Sequence, residues 1–162
     1  MHKFGLPLVV ALFVLVALVL WINAGRSSSG TGNPNRAFFV DEETGEEIVR
    51  PGTELPPLLG KAGNPTVVGA MKFGFKDNKT GNISDEQIVY LFKFTPEAQE
   101  ALKTMDQHDP MRQEAFFSGQ LVRSPQPDSD SEWVHHNSDE GRAIVALPNP
   151  PAGKHLVQIF PK

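Results

Sequence analysis

The sequence predicts an α+β protein: one N-terminal transmembrane helix, then a small, mainly antiparallel β domain with one or two short helices. Three observations predict it. Residues 8–22 carry no polar side chain. Residues 26–36, rich in Ser, Gly, Asn and Pro, hold no apolar side chain. Beyond them, short aromatic and β-branched segments alternate with Gly, Pro and Asn clusters, and one segment shows helical spacing behind a helix-start signal.

The apolar run sets the first element. Extended back to Phe4 it covers 19 residues, and a helix of about 20 residues crosses the ~30 Å hydrocarbon layer. Pro7 falls in the first turns, where its missing N–H costs little. Trp21 falls at the far end, where an indole favours the interface. A cleaved signal peptide has only about 7–15 apolar residues before a small-residue cleavage site, whereas here Ile22 stands three before a cut after Ala24. Residues 1–25 are therefore expected to be an uncleaved single-pass signal anchor, in the cell membrane through residues 4–24. The short head suits an N-in orientation with the C-terminal domain extracytoplasmic, on the periplasmic side. The basic residues decide little, since His2 and Lys3 before the helix nearly balance Arg26 and Arg36 after it. Residues 26–36 are expected to be a flexible linker, and residues 37–162 the soluble domain, with the chain from Arg36 onward sufficient to fold.

Charge and cysteine content narrow the chemistry. Lys3, Arg26 and Arg36 are the only charged residues before Asp41, so residues 37–162 carry 12 basic and 19 acidic side chains, a net charge of −7. Such a surface repels phosphate backbones, which argues against nucleic acid as a partner. There is no cysteine. Disulfides, thiolate nucleophiles and cysteine-ligated zinc are excluded, and about 120 residues must hold together by their own core.

Within the domain, residues 38–40 read as a strand, 42–45 as a turn with Gly45 left-handed, and 46–49 as the returning strand. Residues 51–65 contain four prolines and three glycines and form an irregular connection. Residues 66–76 and 87–94 read as an antiparallel hairpin around a turn at 77–82; the second, nearly continuous in apolar residues, is expected to be central. Thr95-Pro96-Glu97 starts a helix, with a hydroxyl cap, Pro at the first position and an acid in the first turn. Ala98, Ala101, Leu102 and Met105 then share a face. Residues 115–122 are expected to be a strand, 124–131 a loop and 132–135 a short strand. A capping box at Asn137–Glu140 opens a short helix to about Ala146, or else 142–147 form a strand. Residues 155–160 close the chain as a strand.

The succession FFVDEETGEEIVRPGTELPPL, YLFKFTPEAQEALKTM and EWVHHNSDEGRAIV, ending in Phe160-Pro161, resembles uncharacterised bacterial proteins with a single N-terminal anchor and a small extracytoplasmic domain. The resemblance covers residues 37–105 and 132–162. It implies location and architecture and no activity. Its members often carry a cysteine pair near Phe73–Asn82; KFGFKDNKTGN stands there instead, so no metal or disulfide role follows.

The candidate chemistry is sparse. His135 and His136 are adjacent, and adjacent strand residues point to opposite faces, so they are poorly placed to chelate one ion. A Ser138–His136–Asp139 triple can be written, without the strand–turn–helix context a nucleophilic serine needs. Glu42, Glu43, Glu46 and Glu47 cluster around a hairpin without calcium-loop spacing. The doublets Phe38-Phe39 and Phe116-Phe117 should each turn one ring outward. Those rings and Trp133 are the expected contacts for a protein partner. The leading expectation is a non-enzymatic, membrane-tethered interaction or accessory domain without a cofactor. The alternative is a small hydrolase or metal-binding domain using His135, His136 and nearby acids. The leading reading predicts that melting curves in EDTA and in excess zinc coincide within a degree or so. A structural zinc contributes on the order of 10 kcal/mol, so a fall of many degrees in EDTA, abolished when both histidines are Ala, would establish the alternative.

Overall fold

The structure, a computed structural model, describes residues 31–106, 108–126 and 131–162. The expected anchor and residues 26–30 lie outside the described residues. Among the described residues the domain is a curled antiparallel sheet, a half-barrel, with three short helices. Its strands are β1 (Arg36–Asp41), β2 (Glu47–Pro51), β3 (Val67–Asp77), β4 (Ile83–Phe94), β5 (Gln120–Arg123), β6 (Val134–His135) and β7 (Lys154–Gln158). The helices are α1 (Pro96–Thr104), α2 (Pro110–Ser118) and α3 (Asp139–Ile144). The sheet order is β2-β1-β3-β4-β5-β6, with β7 also on β3, and every pairing between these strands is antiparallel.

β3 organises the sheet. One of its edges takes β4. The other takes β1 along Val67–Ala70 and β7 along Phe73–Asp77. β4 is central, as expected of QIVYLFKF, but it begins four residues earlier, at Ile83.

Alternate residues of a strand face opposite ways, and both faces of this sheet are filled. On one, Phe94 packs with Ala98 and Leu102 of α1, joined by Leu55, Phe92, Ala115 and Phe116. On the other, Val68, Ala70 and Leu91 pack with Phe38, Val40, Ile88 and Trp133. Thr95 caps α1 as read from the sequence, accepting from the Ala98 N–H at 3.3 Å.

Two expectations are corrected. Residues 115–122 are not one strand. Asp109 caps α2 by accepting from the Met111 N–H at 2.8 Å, with Pro110 in the first turn, and the helix runs to Ser118 before β5 begins. Asp109-Pro110 is the same start signal as Thr95-Pro96, placed inside a polar stretch. The linker is also shorter than expected. Thr31 forms a parallel bridge with Ile159. The Phe160 N–H donates to the Thr31 carbonyl (3.0 Å), and the Asn33 N–H to the Pro161 carbonyl (2.7 Å). Gly32 lies so close that a Cβ there would stand 2.1 Å from the Phe160 oxygen, and its φ of +124° also favours glycine. Residues 31–35 thus strap the end of β7, and the Gly52 N–H donates to Asn35 (2.8 Å).

Each strap hydrogen bond is worth on the order of 1 kcal/mol net. A chain beginning at Thr31 should therefore melt roughly 5–10 °C above one beginning at Arg36. Equal melting temperatures would show that the strap contributes nothing to stability.

Candidate functional site

The described surface with the most exposed aromatic character is built on α2. Its position follows from Arg112, whose guanidinium donates to the carbonyls of Leu102 and Met105 (3.1 Å for Met105). Leu102 lies in the last turn of α1 and Met105 is its C-cap, so the cation satisfies an unpaired acceptor and opposes the negative end of the helix dipole. α2 is thereby fixed across the end of α1.

This placement aims the phenylalanine doublet. Phe116 turns inward and meets Phe94 edge to face at 4.8 Å between centroids. Phe117 meets Phe116 at 5.5 Å, remains 40% exposed, and meets the His136 ring at 5.5 Å. A continuous aromatic series therefore runs from core to solvent. Beside it lies a shallow cleft of about 430 Å³ lined by His108, Asp109, Pro110, Arg112, Gln113, Phe116 and Phe117. The one-in, one-out expectation for this doublet holds, although its reason changes from strand alternation to helix geometry.

The other doublet gives no free ring. Phe39 is 1% exposed, and Phe38 is half-buried beneath the Lys72 ammonium, 4.7 Å from the ring centroid. Trp133 is also half-buried. The Lys93 ammonium lies over its ring at 4.3 Å and the Arg123 guanidinium at 4.7 Å, and Arg123 pairs with Glu42. Lys93 and Arg123 were missed as site residues. The signal for Lys93 was a single charge inside QIVYLFKF. Burial pushes its ammonium below the usual lysine range, against the opposing pull of Glu42.

The histidines do not come together. His136 lies on the α2 side against Phe117, while His135, which pairs with Leu121, is exposed. His108 sits beside Asp106 (3.2 Å), and His155 beside Asn78 (2.6 Å). The His108 N–H holds the Asp106 carboxyl below its ordinary value. Ser138 is the actual cap of α3. Its hydroxyl donates to the His135 carbonyl (2.8 Å) and accepts from the Gly141 N–H (2.9 Å), which leaves it committed to the backbone. Gly141 is required there, because a Cβ would stand 2.1 Å from the His135 oxygen. The four hairpin acids go to separate partners: Glu42 to Arg123, Glu43 to Asn64 (3.0 Å), Glu46 to Lys61 (2.6 Å) and Glu47 to Lys72 (3.2 Å). Among the described residues, no three His, Asp or Glu side chains are grouped to hold a metal ion.

No protein-family model, curated protein or solved structure matches this chain.

The doublet separates structural from surface roles. Phe116→Ala should lower unfolding free energy by about 2–4 kcal/mol, because it opens the contact with Phe94. Phe117→Ala should cost less than about 1 kcal/mol. Urea denaturation measures both, and equal losses would show that Phe117 is also a core residue.

Proposed function

We propose that this chain is a membrane-tethered, non-enzymatic interaction domain that docks a protein partner through the Phe117 face of α2. The observation that carries this reading is the Phe94–Phe116–Phe117–His136 series. An exposed ring that is already held in place loses little conformational freedom on binding, and aromatic anchors of this kind dominate interface energetics. The cleft beside it supplies Arg112, Gln113 and His108 as a polar rim.

The tether belongs to the same proposal. The uninterrupted apolar stretch at 8–22 supports a single-pass anchor through residues 4–24, with the domain on the periplasmic side. The resemblance to anchored bacterial proteins points the same way. With residues 31–35 strapped to β7, only the residues before Thr31 separate the domain from the bilayer.

Two measurements test the reading. Protease added to intact spheroplasts should remove the domain, and protection would reverse the orientation. A photo-crosslinking residue in place of Phe117 should capture one discrete protein in intact cells, while the same residue in place of Lys79, at the β3–β4 turn, should not. Identical adducts at both positions, or none at 117, would remove α2 as the docking face.

A further inference from the structure

We propose that the strapped end of the sheet, which carries Arg36, Arg50 and Lys162, faces an anionic phospholipid surface. The proposal rests on the anchor reading given above and adds to it an orientation of the domain on the bilayer.

Hydrogen bonds define this end. Thr31 bridges Ile159, and the Asn33 N–H donates to the Pro161 carbonyl (2.7 Å). Arg36 begins β1; its N–H donates to the Asn33 carbonyl (3.0 Å) and its guanidinium to the Lys162 carbonyl (2.7 Å). Arg50 stands opposite Ala37 on β2. The entering chain, the closing chain and three cationic side chains thus gather at one end of β1. Arg36 and Lys162 are exposed, and Arg50 pairs with Glu54 while keeping 42% of its side chain in solvent. β1 then carries the chain away from this end. At ~3.3 Å per residue, Glu42 stands about 20 Å from Arg36. Residues 41–47 hold five acidic side chains and no basic one.

Chain length confines the domain, and charge chooses its orientation. Ile22, the last residue of the apolar run, comes nine residues before Thr31. Fully extended, that stretch spans at most about 30 Å, so Thr31 stays near the headgroups. Length alone would still let either end of β1 approach them. An anionic leaflet attracts each Lys or Arg brought near it by roughly fivefold in equilibrium constant, and repels carboxylates. The attraction fades over about 8 Å at physiological ionic strength, well short of the distance between the two ends of β1. The ends therefore respond separately: Arg36, Arg50 and Lys162 are drawn in, and the hairpin at 41–47 is held off. The net charge of −7 over residues 37–162 repels such a leaflet as a whole, which further favours approach by a cationic end. The same orientation serves the α2 face. Asp41 pairs with Val67, and Phe92 with Gly69, so β4 carries Phe94, and Phe116 packed on it, toward the hairpin end.

The test uses the full chain, whose lack of cysteine allows one thiol to be introduced at a time. A fluorophore is attached after Pro34→Cys, in the strap, or after Thr44→Cys, at the β1–β2 turn. Each chain is reconstituted in vesicles that hold a headgroup spin label as quencher. With anionic phospholipid, the label at position 34 should be quenched more strongly than the label at 44. Zwitterionic phospholipid or high salt should narrow that gap. Arg36→Gln together with Lys162→Gln should lower the equilibrium constant for this orientation by more than about tenfold and close the gap. Arg36→Lys together with Lys162→Arg, which keeps both charges, should preserve it. Equal quenching at the two positions in anionic vesicles overturns the proposal, and so does a gap that survives the charge-removing pair. Both results leave the anchor reading standing. Release of the chain from the vesicles by alkaline extraction is the separate outcome that overturns the anchor reading, and this orientation with it.

Discussion

Every element of this domain depends on the shared edge of β3. A strand has two hydrogen-bonding edges, and β3 gives one to β4 from Gly69 onward, after a bridge from Val67 to Leu58. The other edge serves both the first strand of the domain and the last. The change of partner falls between Ala70 and Phe73. The β3–β4 ladder is irregular at Met71/Lys72 and again at Phe73/Phe75. Bulges bend a strand and sharpen its twist, so β1 and β7 diverge and the sheet curls. Without the eleven residues of β3, the beginning and end of the domain would have no common partner.

The curl explains why the two faces close differently. One is covered by α1 and α2. Among the described residues, the other is closed by Trp133 and Phe38, beneath the stems of Lys72, Lys93 and Arg123. Long basic side chains bury their methylenes along apolar surface while their charges stay at the rim. This accounts for half-buried cations beside a core containing Val68 at 0% and Leu91 at 6% exposure. It also accounts for the unbroken burial of Val67, Val68, Gly69 and Ala70, since a strand covered on both sides does not alternate.

Local signals were legible in the sequence wherever one residue type determines one conformation. Thr95-Pro96 marked α1, Gly45 the left-handed turn at φ +71°, and the apolar run at 87–94 the central strand. Asp109-Pro110 carried the same information as Thr95-Pro96. It was outweighed by the β-prone residues after it, which are held as helix by packing on Phe94 and by Arg112. The strap was illegible for a different reason: Ser, Gly and Asn specify no structure by themselves, and only the edge offered by residues 159–161 orders them. At the site, one outward ring in the Phe116-Phe117 doublet was foreseen, without which of the two it would be. The burial of Phe38 under Lys72 and the cations on Trp133 arise from pairings between distant strands, which composition does not contain.

The strap also has a mechanical meaning. Any pull on the N-terminal segment reaches the sheet first through Thr31, whose partner is the last turn of chain beyond β7. Those few hydrogen bonds would yield before the long ladder between β3 and β4. Releasing residues 31–35 would add about 17 Å of slack at ~3.4 Å per residue. The strap is in this sense a fuse in series with the sheet: a pull that opens it lengthens the chain ahead of β1 and leaves the seven-stranded body folded.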